Sequence, residues 1–191
     1  MKQISPQDLQ YFQLGRQHIR SFLERIANQY DSESLSILEI GPQDHFSAKD
    51  CFLKAKISTF DVVSTYDPDI IGDITKRNTS IADNEFDVIV CMDVLEHTLD
   101  PFGAIEEIYR ILSPDGLLLV SAPLNFRIHG PIPDCWRFTE NGFRVLLKNF
   151  EILDLDILET QDRWLFPIHY NILARKGEVK AAADISFKKI L

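Results

Sequence analysis

The sequence has few cysteines, no cationic run and no long apolar stretch, and each shortage removes a class of function. Its three cysteines, Cys51, Cys91 and Cys135, are odd in number and widely spaced. With no CxxC pair to bind zinc or run thiol exchange, they read as small buried hydrophobes in a reduced, cytoplasmic chain. Lysine and arginine total 20 against 29 acids, a net charge of −9. A phosphate backbone is repelled by such a surface unless the cations cluster, and they do not, so no nucleic-acid partner is expected. No apolar run approaches the ~20 residues of a bilayer span, and MKQISPQDLQ has no secretory core, so no membrane association is expected.

Several nucleotide and hydrolase signatures are missing as well. The turn after Ile40 carries one glycine, Gly41, where a dinucleotide fingerprint needs three. There is no Gly-Lys-Ser/Thr for a phosphate loop, no GxSxG elbow, and no tyrosine followed four residues later by lysine. An Asn/Asp-Pro-Pro-aromatic tetrapeptide, suited to amide or DNA-base methylation, is also absent.

What remains is a globular composition, 45% hydrophobic and 26% charged over 191 residues, enough for one domain with a real core. Leu9, Phe12, Ile19, Phe22, Leu23, Ile26 and Tyr30 recur at helical spacing behind a Ser5-Pro6 start. The period then shortens. Leu35–Ile40, Ile57–Val63, Phe86–Cys91 and Leu117–Ala122 read as strands, with a helix opening at Pro101 before the last of them. Thr139–Leu147 reads as a helix, and Phe150–Leu158 with Ile168–Ala174 as a closing pair. With no helix-length segment between them, that pair is expected to be antiparallel. Strands separated by helical patterns predict an α/β fold with a mostly parallel sheet and helices on both faces. The segments expected are an N-terminal helical part at 1–34, a core at 35–176 and a tail at 177–191.

Ligands of such sheets bind beyond the carboxyl ends of the strands. Those ends carry Glu39, Asp61 and Asp93, with Gly72-Asp73-Ile74 downstream of the second. Successive carboxylates suit a ligand that offers hydroxyls and an ammonium, and suit a phosphate poorly. The stretch from Pro123 to Phe138 fits no regular element, and long irregular loops in compact domains are usually functional.

Leu38-Glu-Ile-Gly-Pro42, Asp61, Gly72-Asp73, Phe86–Cys91, Asp93-Val-Leu-Glu-His97 and Leu112-Ser-Pro-Asp-Gly-Leu-Leu118 together resemble class I S-adenosylmethionine-dependent methyltransferases of the small type 11 kind. The resemblance implies a Rossmann-like seven-stranded sheet with an antiparallel last strand, S-adenosyl-L-methionine as cofactor, and a small-molecule acceptor methylated at oxygen. It places Glu39 near the methionine amino group, Gly41 against the ligand backbone, Asp61 on the ribose and Asp73 with Ile74 on the adenine. Cys91, Met92 and Asp93 would line the methionine region. On the long loop, His129 and Asp134 are candidate bases, and His129, Trp136 and Arg137 candidate acceptor contacts. Each has a structural alternative: a turn for Gly41 and Asp61, a buried hydrogen bond for Glu39, loop anchoring for Trp136, Arg137 and His97. Gln43 and His45 stand where the family has further glycines, which keeps open a catalytically inactive binding or regulatory protein.

Overall fold

A computed structural model of the chain describes residues 4–42, 46–160 and 165–177. Helix α1 (Pro6–Tyr30) is followed by β1 (Ser36–Ile40), β2 (Lys56–Asp61), β3 (Ile70–Ile71) and β4 (Phe86–Met92). Then come α2 (Pro101–Ile111), β5 (Leu112–Pro123), α3 (Glu140–Leu146), β6 (Phe150–Glu159) and β7 (Pro167–Lys176). The strands form one sheet in the order β3-β2-β1-β4-β5-β7-β6. The five strands from β3 to β5 run parallel, while β7 enters antiparallel between β5 and β6. The expected architecture is therefore the observed one, closing pair included.

Alternation along the central strands divides the core in two. Ile37, Val88, Val90, Met92, Leu119 and Leu173 face α1, and Leu38, Ile40, Ile89, Cys91, Leu118 and Val120 face α2 and α3. Pro6 occupies the first turn of α1, and the Ser5 hydroxyl accepts the Asp8 N–H. The buried positions of α1 are Ile19, Phe22, Leu23, Ile26 and Ala27. Full burial of Phe22 alone contributes about 1.5–3 kcal/mol. The front of the same apolar stripe behaves differently: Leu9 and Phe12 are exposed to the extent of 48% and 36% and overhang the sheet.

Most strand boundaries fall within one or two residues of the periodicity, and two of the differences have a local cause. The second strand stops at Asp61 instead of Val63, because the Asp61 carboxylate accepts the Val63 N–H and turns the chain. The fifth begins already at Leu112. Phe86 pairs with Leu112 and Val88 with Leu117, so residues 113–116 bulge out, with Asp115 left-handed at φ 59°. The helix-free segment from β3 to β4 is tied down by α2. Glu107 accepts the Asn78 N–H at 2.7 Å, and Arg110 donates to the carbonyls of Asn78 and Ile81. Among the described residues no helix is long and apolar enough to cross a membrane. The tail beyond Gly177, and Gln43 with His45, lie outside the described residues.

Candidate active site

The chain reverses its order of strand addition between β1 and β4, which opens a crevice beyond their carboxyl ends. A cavity of about 900 Å³ occupies it. Its floor is Ile40, Gly41, Met92 and Asp93, one wall is Asp61 with Asp73 and Ile74, and the other is His97, Phe126 and His129. Tyr11, Phe12 and Arg16 of α1 form a roof that periodicity alone assigned to an ordinary core helix. Phe12 stacks on Phe126, and Arg127 pairs with Asp8 at 3.3 Å, so roof and loop close together.

On the β1–β3 side the site is made of turns. Gly41 is left-handed at φ 64°, and a side chain there would put its Cβ 2.8 Å from Val94 Cγ2. Its N–H donates to the Phe60 carbonyl, which couples the β1 turn to β2. Asp61 lines the wall one strand away, and the Asp73 carboxylate accepts both the N–H and the hydroxyl of Thr75. Glu39 is nearly buried. Its two oxygens accept the Ser47 hydroxyl and the Ala48 N–H, while burial pushes its carboxyl above the usual value. Its contact with the cavity is thus combined with holding the 47–50 turn in place.

The β4–β5 side is made of buried polar groups. Asp93 has φ 53°, and its carboxylate accepts from the Ser121 hydroxyl and His169 Nε2, both at 2.8 Å. Burial pushes the Asp93 carboxyl up, but His169 and Ser121 together hold it below the usual range. His169 Nδ1 lies 3.1 Å from His18 Nδ1, and His18 Nε2 lies 3.2 Å from Asp156, a line of side chains running from the cavity under α1. Burial lowers the His18 pKa. His169 was missed in the sequence, although a histidine inside the apolar run Pro167–Ala174 was a signal that the strand reaches a polar site.

The loop over this side is anchored through Glu96, in the short 3₁₀ turn Leu95–His97. The Glu96 carbonyl accepts the N–H groups of Cys135 and Trp136, and the Trp136 indole donates to the Thr98 carbonyl. Arg137 makes a two-point ion pair with the buried Asp134 carboxylate and also donates to the carbonyls of Arg127 and Trp136. That guanidinium holds the Asp134 carboxyl well below the usual range. Asp134 also accepts the His129 N–H at 2.9 Å.

Of the residues expected at the site, Glu39, Gly41, Asp61, Asp73, Ile74, Met92, Asp93 and His129 converge on the cavity. Four do not. Cys91 is fully buried among the α2–α3 core residues, because alternate residues of β4 point to opposite faces. Asp134 is committed to Arg137 and lies off the cavity, and the pairing lowers its proton affinity so far that it makes a poor base. Arg137 and Trp136 are spent on loop carbonyls and on Asp134, and neither lines the cavity.

Residues 11–165 match a family model described as a methyltransferase domain. A ubiquinone biosynthesis O-methyltransferase of Haemophilus ducreyi is 36% identical over 56 residues, 29% of this chain and 24% of that protein. One from Actinobacillus pleuropneumoniae is 41% identical over 51 residues, 27% of this chain and 22% of that protein. The matches thus span about a quarter of the length of these curated relatives. Among solved structures, a SAM-dependent methyltransferase from Archaeoglobus fulgidus superposes with TM-score 0.64 at 13% identity, over 84% of this chain and 94% of the other. The N-methyltransferase NodS from Bradyrhizobium japonicum gives 0.62 at 16%, over 86% and 97%. The [4+2]-cyclase SpnF gives 0.58 at 17%, over 81% of each chain. These last likenesses are likenesses of fold.

Proposed function

Because the chain belongs to the methyltransferase-domain family, we propose that it methylates an oxygen of a small-molecule acceptor held against the loop at 124–139. Its cofactor is S-adenosylmethionine, which when bound supplies an electrophilic sulfonium methyl group. The lining fits that molecule: a left-handed glycine at the β1 turn lets backbone approach a ligand, and the next two strand ends present carboxylates. Asp61 accepts the ribose hydroxyls. Asp73 and Ile74 hold the adenine, while Gly41, Met92 and Asp93 flank the methionine portion, with Glu39 behind them.

The observation that carries the acceptor assignment is the division of one 900 Å³ cavity into a carboxylate wall and an imidazole wall. That volume accommodates a cofactor and a small acceptor side by side. Methyl transfer needs alignment and exclusion of water, and a hydroxyl acceptor must in addition give up a proton. His97 and His129 supply groups able to receive or replace one, whereas a backbone wall would not. The partial similarity to ubiquinone O-methyltransferases supports oxygen as the acceptor atom. The inactive-protein reading rested on Gln43 and His45, and no observation among the described residues favours it.

Calorimetric titration with S-adenosylmethionine and S-adenosylhomocysteine tests the cofactor half. Asp61→Ala should weaken binding by roughly 1.5–3 kcal/mol, about 10- to 150-fold, in a folded protein. Methyl-labelled cofactor offered to matched hydroxyl and amine acceptors tests the other half. Label confined to the amines would overturn it.

A further inference from the structure

Glu96 is completely buried, and neither carboxylate oxygen has a hydrogen-bond partner. Burying such a group without a partner costs several kcal/mol in either state of protonation. Protonation alone does not relieve it, since an O–H needs an acceptor. Two imidazole nitrogens, His97 Nε2 and His129 Nε2, each lie 3.9 Å from Oε1, beyond hydrogen-bond reach. Arg137, the neighbouring cation, is taken up by Asp134 and loop carbonyls. A second observation points the same way. His97 Nδ1 lies 3.0 Å from the Pro133 carbonyl, and His129 Nδ1 lies near the Arg127 carbonyl and the Asp134 carboxylate. Those partners only accept, so each Nδ1 carries the proton and each Nε2 presents a lone pair. Oriented imidazoles of this kind are what metal ligation requires, and their outer partners are an ion's supporting shell.

We propose that Glu96, His97 and His129 form a site for a divalent first-row transition-metal ion in the acceptor wall of the cavity. The three donor atoms lie within 4.8 Å of one another. Ligands about 2.0–2.2 Å from an ion stand roughly 3–3.5 Å apart, so side-chain rotations closing about 1 Å complete the set. Two imidazoles with one carboxylate favour zinc, cobalt, manganese or iron over magnesium or calcium, which prefer oxygen throughout. Three protein ligands leave a position open toward the cavity. There the ion would hold an acceptor oxygen and favour its deprotonated form, the hydroxyl proton leaving to solvent. This second half rests on the oxygen-methylation reading; the metal site does not.

The test uses tag-free, chelator-dialysed protein titrated with Co²⁺, read by visible d–d absorption, with Zn²⁺ as competitor. One equivalent should bind, and Glu96→Gln and His129→Ala should each weaken it at least tenfold. No spectrum and no Zn²⁺ affinity in the wild type would overturn the site, as would unchanged Co²⁺ binding by folded Glu96→Gln. A dihydroxy-aromatic probe should shift the cobalt bands; unshifted bands would remove the acceptor role. Calorimetry with S-adenosylhomocysteine on the same samples reports folding and separates the two proposals. Cofactor bound without cobalt sinks this one alone, and cobalt bound without cofactor sinks the methyltransferase reading alone.

Discussion

The two walls of the cavity are built in different ways. On the β1–β3 side, Gly41, Asp61 and Asp73 act through the turn each belongs to, and their partners lie within two residues or on the adjacent strand. On the β4–β5 side, Asp93 depends on His169, 76 residues away, and His97 depends on Pro133, 36 residues away. Groups on the first wall are locally satisfied; those on the second rely on partners distant in the chain, and the carboxylate of Glu96 has none. In the proposed reading the first wall holds the ribose and adenine, Asp93 and Met92 meet the methionine portion, and the histidines of the second wall meet the acceptor. Damage at His129 or in the loop that carries it should accordingly fall on turnover and stability, and damage on the first wall on cofactor affinity.

The largest expected effect is on turnover. His129→Ala should lower it about 10²–10⁴-fold while leaving S-adenosylhomocysteine affinity within about twofold. A parallel loss of cofactor affinity, measured by calorimetry, would mean the two walls are not separate. Next comes stability. Arg137→Ala leaves the buried Asp134 carboxylate unpaired, costing roughly 2–4 kcal/mol and lowering Tm by about 5–10 °C. Because pairing depresses the Asp134 pKa, the stabilisation is present above the ordinary aspartate value and is lost as the pH falls below it. The Tm gap between the two proteins should therefore narrow in acid. A constant gap would assign the loss to packing.

This contrast also explains how much could be read from the sequence. The sheet was legible because Leu35–Ile40, Phe86–Cys91 and Leu117–Ala122 are short, mainly apolar runs ended by turn residues, and the first wall because Gly41 and Asp61 sit at strand ends. β3, two residues long, gave no periodicity of its own. The second wall was legible only as an irregular loop. Nothing local distinguishes His129, which faces the cavity, from Asp134, which faces Arg137; the fold decides it. Glu96 was visible as a polar residue beside His97, but its complete burial arises when residues 133–136 close over it. Likewise the apolar stripe of α1 said nothing of where the sheet would end beneath it.

Gly41→Ala addresses the first wall with a smaller change. A left-handed backbone costs an L-residue roughly 1–2 kcal/mol, and the new Cβ meets Val94 at 2.8 Å. Cofactor affinity should fall about tenfold, with turnover at saturating cofactor changed less than threefold. If saturating turnover collapses instead, the β1 turn is also setting the β4 wall through Val94.

The smallest effect concerns Glu96 in protein stripped of metal. Burial, reinforced by the Asp93 charge, raises its carboxyl well above the ordinary 4.5, so the folded state resists ionising it. A raised pKa gives stability that is full below the ordinary value and is lost as the pH climbs through the raised one. Glu96→Gln carries no titrating group there. The two chelated proteins should melt together in acid, and the variant should gain as pH rises, by roughly 2–4 °C, the size of about 1 kcal/mol in a chain of this length. The other titrating groups are common to both proteins and largely cancel in the difference. Adding Co²⁺ should reverse the order above neutral pH, since ligand binding to the folded wild type stabilises it and the variant lacks the carboxylate. A gap that stays flat with pH would show that Glu96 ionises with a partner in the folded protein, and would place the second wall among locally satisfied sites like the first.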